Sequence, residues 1–208
     1  MLPFDQLLTH APASVVLLAL IVAGSLAGFA WPRFSDRFLL HPFVMFRAHQ
    51  YERLLTSGFL HADLMHLLFN LFALYSVAMY LEAATGTVNF LVIYLASLLL
   101  SGIVPAVRRR NDPSYRALGA SGAVSALFFS GMLYFPEAKV MLLFLPIPMP
   151  WPVFAVLFVA ASVYGARKRW DNVAHDVHLY GAAAGLLLTI ALDPPVLGHF
   201  LAALGVSR

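Results

Sequence analysis

Apolar residues fill this chain in blocks of roughly 15 to 20, long enough for helices that cross a bilayer and unlike the alternation of about ten residues in a barrel strand. The breaks between blocks are short and rich in Pro, Gly or charge. They predict six membrane helices over about 13–31, 63–81, 88–107, 121–135, 151–165 and 177–192. A longer stretch, 32–62, mixes Arg33, Arg37, Arg47 and Arg53 with Phe34, Phe38, Phe43 and Phe46. It is too charged to span and too apolar for a free linker, so it is expected to lie at the membrane surface with its apolar side in lipid. Pro146, Pro148, Pro150 and Pro152 forbid a continuous helix before the fifth span, which predicts an extended connection over 137–150. The tail 196–206 is too short to cross and is assigned to the interface.

Composition agrees with a single all-α, polytopic membrane domain over 1–208. Of the 208 residues 61% are hydrophobic and only 11% charged, far from soluble-domain usage. Met1 to Pro12 contain no Lys or Arg and so lack the basic start of a secretory signal, which makes the first span an uncleaved helix. Cysteine is absent, excluding disulfides and thiolate metal sites. No cofactor, metal or nucleic acid is implied; the expected partners are the lipid bilayer and other membrane-embedded chains.

Polar residues are scarce enough for their placement to be informative. Helices two, four and six share a direction, so their N-termini face the same side of the membrane. His66 and Asn70 begin the second, Ser121 the fourth and His178 the sixth. His66 and Asn70 are four apart and project from one helix face. Ser121 stands among Gly119, Ala120, Gly122 and Ala123, which clear the approach to its hydroxyl, and a first-turn serine has unpaired backbone N–H groups beside it. Gly181 and Gly185 form a stripe below His178 that permits close helix contact. Nucleophile, base and two side-chain donors are thus offered, with no clear carboxylate: Asp176, two residues before His178, points elsewhere on a helix. The same residues also have structural readings, Ser121 as small-residue packing and His66 with Asn70 as interhelical hydrogen-bond partners. His61 and His175 are assigned structural roles near the site.

Three segments carry a resemblance. Arg53 to Asn70 (RLLTSGFLHADLMHLLFN), Gly119-Ala120-Ser121-Gly122, and Ala174-His175-Asp176-Val177-His178-Leu179-Tyr180-Gly181, in this order at the starts of helices two, four and six, resemble the rhomboid intramembrane serine proteases. The resemblance implies a six-helix bundle that cleaves single-pass membrane proteins in or near their membrane helix with a Ser121–His178 dyad. It implies an oxyanion hole from His66, Asn70 and the Ser121 N–H, and structural anchors at Arg53 and Glu82. It also implies a substrate gate along the fifth helix and the loop after it, with Trp151, Phe154 and Trp170 as its residues. Ser125 departs from relatives that carry a tyrosine stacked on the histidine, Ala78 stands where a glycine is usual in the family, and Tyr180 where a small residue is usual. The alternative is a catalytically inactive rhomboid-like protein that binds membrane clients, which would not need both Ser121 and His178.

Charge and resemblance disagree on orientation. All thirteen Lys and Arg residues except Lys139 and Arg208 fall in loops on the Ser121 side, which the positive-inside rule assigns to the cytoplasm. The resemblance implies a plasma (inner) membrane with the site on the exoplasmic face, and that is the orientation expected here.

Overall fold

The computed structural model describes residues 9–142, 145–168 and 175–206. Ten helices and one hairpin are described: α1 Pro12–Ala30, α2 Pro32–Phe38, α3 Pro42–Arg47, α4 Arg53–Thr56 with a 3-10 turn Ser57–Phe59, α5 Leu64–Thr85, α6 Thr87–Arg108, α7 Ser121–Tyr134, strands β1 Lys139–Leu142 and β2 Leu145–Pro150, α8 Trp151–Lys168, α9 His175–Leu192 and α10 Pro195–Ala203. The all-α membrane bundle is therefore present. Of the six helices anticipated as spans, α1, α5, α6 and α9 are long and apolar enough to cross a membrane, while α7 and α8 are shorter apolar helices among them.

α7 is the hub. Residues 122–127 and 129–133 are all buried, because neighbours cover it on every side. In lipid no hydrophobic force drives apolar helices together, so close packing and interhelical hydrogen bonds must do so. α9 supplies both. A Cβ on Gly181 would fall on the Gly122 carbonyl oxygen, and one on Gly185 on that of Ala126. Thr189 Oγ1 donates to Ser130 Oγ at 2.7 Å, and Ser130 Oγ donates to the Ala126 carbonyl at 2.9 Å.

The second anticipated span runs past the boundary at 81 that the apolar pattern suggests. α5 continues to Thr85 and stops at Gly86, whose φ of +76° suits glycine. The Glu82 carboxylate is buried and accepts the backbone N–H groups of Ala13 (3.0 Å) and Ser14 (2.7 Å), the Ser14 hydroxyl (2.7 Å) and the Thr87 hydroxyl (2.8 Å). It thereby caps the orphan donors and the positive dipole end of α1.

The stretch 32–62 is organised more tightly than a surface loop in lipid. Leu40 and Met45 are buried against Ala106 of α6 instead of facing the bilayer. Arg53, also buried, gathers the segment by donating to the carbonyls of Asp36 (2.9 Å) and Leu39 (2.8 Å) and to Gln50 Oε1 (2.7 Å). Its backbone then reaches the residues before α7: Leu40 and Ala117 exchange N–H···O bonds of 2.9 and 3.0 Å, and the Gly119 N–H donates to the Ser57 carbonyl at 3.0 Å.

The extended connection is an antiparallel hairpin, with Lys139 opposite Pro150 and Val140 opposite Met149. The tail does not simply rest at the interface. α10 packs on α7, burying Val196, and Tyr134 donates to Asp193 Oδ2 at 2.8 Å where the chain enters it.

Candidate active site

Ser121 is the first residue of α7 and His178 lies in the first turn of α9, so the glycine-mediated contact between these helices brings the two side chains together. His178 Nε2 and Ser121 Oγ are 2.9 Å apart. A serine proton can pass to an imidazole at that separation, with Nε2 accepting when Nδ1 carries the ring hydrogen. Asp176 Oδ1 accepts the Val177 N–H at 3.0 Å.

The turn ahead of Ser121 is held on three sides. Gly119 has φ +128°, a conformation that disfavours other residues, and a Cβ there would also lie 2.9 Å from His66 Cε1 and 3.0 Å from Nε2. The His66 ring thus lies directly beneath the backbone that leads to the serine. His61 is buried behind it, their rings 4.8 Å apart and nearly perpendicular. His61 Nδ1 and Ser25 Oγ of α1 are 3.0 Å apart, and Nε2 accepts the Ala120 N–H at 3.5 Å. Burial and the neighbouring His66 lower its pKa to about 4, against opposing contributions from Asn70 and Asp63. A neutral ring with Nδ1–H donating and Nε2 accepting suits both partners.

α5 begins with Asp63 as its N-cap, accepting the His66 N–H at 2.8 Å. One turn on, Asn70 Nδ2 donates to the His66 carbonyl at 3.0 Å. An amide nitrogen carries a second hydrogen, and Asn70 lines the same cavity as Ser121 and His178. This cavity, of about 270 Å³, extends between α5, α7 and α8 toward Val140 and Met141 of the hairpin. The first N–H groups of α7 lack intrahelical acceptors. A serine hydroxyl, a histidine ring and an asparagine amide therefore line one largely apolar cavity, beside the start of a helix; acyl transfer draws on a set of groups of this kind.

The residues expected at a gate separate. Phe154 lines the cavity, as does Phe158, which the sequence reading did not single out. Trp151 is buried in the core instead, its ring against Gly131 and 6.1 Å from Phe128. Trp170 lies outside the described residues. Ser125 presents no ring to His178; its hydroxyl donates to the Ser121 carbonyl at 2.8 Å. His175 packs against Gly165 of α8 and sits edge-on to His178 at 6.1 Å. The ring of Tyr180 faces Arg108, whose guanidinium carbon is 6.0 Å from its centroid.

Comparison with protein families matches residues 48–194 to the Rhomboid domain. Among curated proteins, the chain is 29% identical over 194 residues to RHOMBOID-like protein 12, mitochondrial, of Arabidopsis thaliana, covering 83% of this chain and 56% of that relative. It is 31% identical over 140 residues to Rhomboid protein 1, mitochondrial, of Saccharomyces cerevisiae, covering 64% and 40%. It is 28% identical over 135 residues to Presenilin-associated rhomboid-like protein, mitochondrial, of Homo sapiens, covering 64% and 36%. The chain thus spans from about a third to somewhat over half of these relatives' lengths. All three carry mitochondrial names, at odds with the expectation of a plasma membrane.

Proposed function

The chain belongs to the rhomboid family, and from that premise we propose that it is an intramembrane serine endopeptidase acting on single-pass membrane proteins. The observation that carries the reading is the 2.9 Å contact between Ser121 Oγ and His178 Nε2. His178 takes the hydroxyl proton as the serine oxygen attacks the scissile carbonyl, and negative charge moves to the carbonyl oxygen. The Ser121 N–H, Asn70 and His66 stabilise that charge. Collapse of the tetrahedral intermediate breaks the C–N bond, His178 returns the proton to the leaving amine, and an ester to Ser121 remains. Water, deprotonated by His178, hydrolyses this ester and restores the serine.

Depth favours a membrane-embedded substrate. The 14 residues of α7 make a rod of about 21 Å, short of the roughly 30 Å hydrocarbon layer, so a site at its N-terminus can sit below the headgroups while remaining accessible to water. The apolar cavity beside the dyad suits an unwound stretch of a membrane segment, whose carbonyls are no longer shielded by helical hydrogen bonds. On this reading the gate lies along α8, with Phe154 facing the entering chain.

We place the dyad on the exoplasmic face, as the family resemblance implies. Cysteines introduced one at a time at Arg116, exposed on the dyad side, and Gly86, exposed on the other, test this with an impermeant thiol reagent in intact cells. Labelling at Arg116→Cys is expected; labelling only at Gly86→Cys would reverse the orientation. Activity is tested in proteoliposomes containing a single-pass test substrate with a small residue near the end of its span. Wild type is expected to cleave it while Ser121→Ala and His178→Ala do not. Capture of intact substrate without cleavage by any of the three would favour the client-binding alternative.

A further inference from the structure

We propose that Phe158 of α8 is a positioning residue for the imidazole of His178, so that the helix walling the substrate cavity also sets the pose of the base. This inference rests on the protease reading above.

α7 offers His178 the serine contact, yet at Ser125 it presents a small side chain whose hydroxyl is turned back to the Ser121 carbonyl. A ring comes from α8 instead. The Phe158 centroid is 6.0 Å from that of His178 with the planes tilted by 35°, within the range of ring–ring contact. Phe158 is itself fixed by Phe129 of α7 at 5.7 Å and by Phe154, one turn earlier on α8, at 5.9 Å. Phe154 in turn lies 5.5 Å from Phe128. Trp151, Phe154 and Phe158 recur at helical spacing and form one aromatic face of α8. That face interlocks with α7 and ends on the base.

An imidazole 2.9 Å from a serine has some freedom to rotate about χ2, and the hydrogen bond survives only while the ring plane keeps its direction. Phe158 limits that rotation from one side. Because Phe158 also lines the cavity, moving α8 outward would withdraw this support as it widened the entrance.

Purified full-length protein in detergent, with the test substrate above, separates the possibilities. Phe158→Leu, which keeps the site apolar but removes the ring, is expected to lower kcat and the rate of inactivation by a small fluorophosphonate by about tenfold, a modest share of what misplaced catalytic groups cost. KM should change by less than about twofold. Phe158→Tyr, which retains a ring, should restore kcat. Gly198→Ala on α10, where a Cβ meets nothing within 4 Å, should leave kcat, KM and the fluorophosphonate rate near wild type. Unchanged kcat and inactivation rate in Phe158→Leu, or a change in KM alone, would overturn the proposal and leave Phe158 as cavity wall. Phe158→Met serves as the second ring-free variant if Phe158→Leu does not fold. Absence of wild-type reaction at Ser121 would instead remove the protease reading, and this inference with it.

Discussion

Gly181→Ala adds one methyl group at the closest approach of α9 to α7. The new Cβ would fall on the Gly122 carbonyl oxygen and lie 2.8 Å from its carbon and 3.0 Å from its Cα. Carbon atoms settle at roughly 3.5–4.0 Å, and the obstacle is backbone rather than a flexible side chain, so the helices must part by about 1 Å. His178 is one turn from Gly181, Ser121 is next to Gly122, and the contact between them starts at 2.9 Å. Carried rigidly, the displacement stretches it to about 3.9 Å, beyond hydrogen-bonding range. A misplacement of this size costs on the order of 10²-fold in rate, while overpacking lowers stability by about 1–3 kcal/mol. Both are measurable on one preparation, as substrate cleavage in detergent and as the thermal unfolding midpoint. Gly198→Ala on α10 is the control, since a Cβ there meets nothing within 4 Å; it should leave activity unchanged and stability equal or slightly higher. Wild-type cleavage by a folded Gly181→Ala would refute the claim that glycine-mediated contact sets the dyad distance.

Asn70→Ala should reduce kcat by roughly 10²- to 10³-fold with the unfolding midpoint little changed; full turnover would remove Asn70 from the oxyanion hole. Glu82→Ala leaves the N–H groups of Ala13 and Ser14 without their acceptor and should destabilise the fold by at least about 2 kcal/mol, whereas an unchanged midpoint would show that α1 is capped in another way. His61 titrates near pH 4 in the fold, below its ordinary 6.5. The unfolded chain therefore binds the extra proton first, and stability should fall as pH drops from about 6.5 toward 4. His61→Asn should flatten that part of a midpoint-against-pH curve; an identical slope would exclude His61 as its source.

Helix order and the residues at the dyad were legible because each lies at the start of a helix, where polar side chains in an apolar chain stand out and topology alone assigns the side. Other features depended on tertiary contacts. The second span is bounded at 81 in the sequence, where the apolar run ends, but the Glu82 carboxylate is satisfied by the N-terminus of α1 and the helix runs on to Thr85. Leu40 and Met45 look suited to lipid; their burial against Ala106 depends on the path that Arg53 imposes on the loop. Pairing within the hairpin was invisible because its alternating prolines signal only extended chain. α8 is the least legible. Its aromatic residues recur at helical spacing, but that pattern does not say that Phe158 is the one to meet His178 while Trp151 ends in the core. The His61 bracket was hidden for a similar reason: Ser25 and Ala120, which it joins, lie far away in sequence.

The central claim is that Ser121 is a nucleophile activated by His178. Its most direct test is intact-mass analysis of the purified protein after exposure to a fluorophosphonate, with the adduct mapped by peptide fragmentation. One adduct per chain on Ser121 in wild type, and none in Ser121→Ala or His178→Ala proteins that retain the wild-type unfolding midpoint, is the expected result. No adduct on Ser121 in wild type, or equal labelling in His178→Ala, would contradict it.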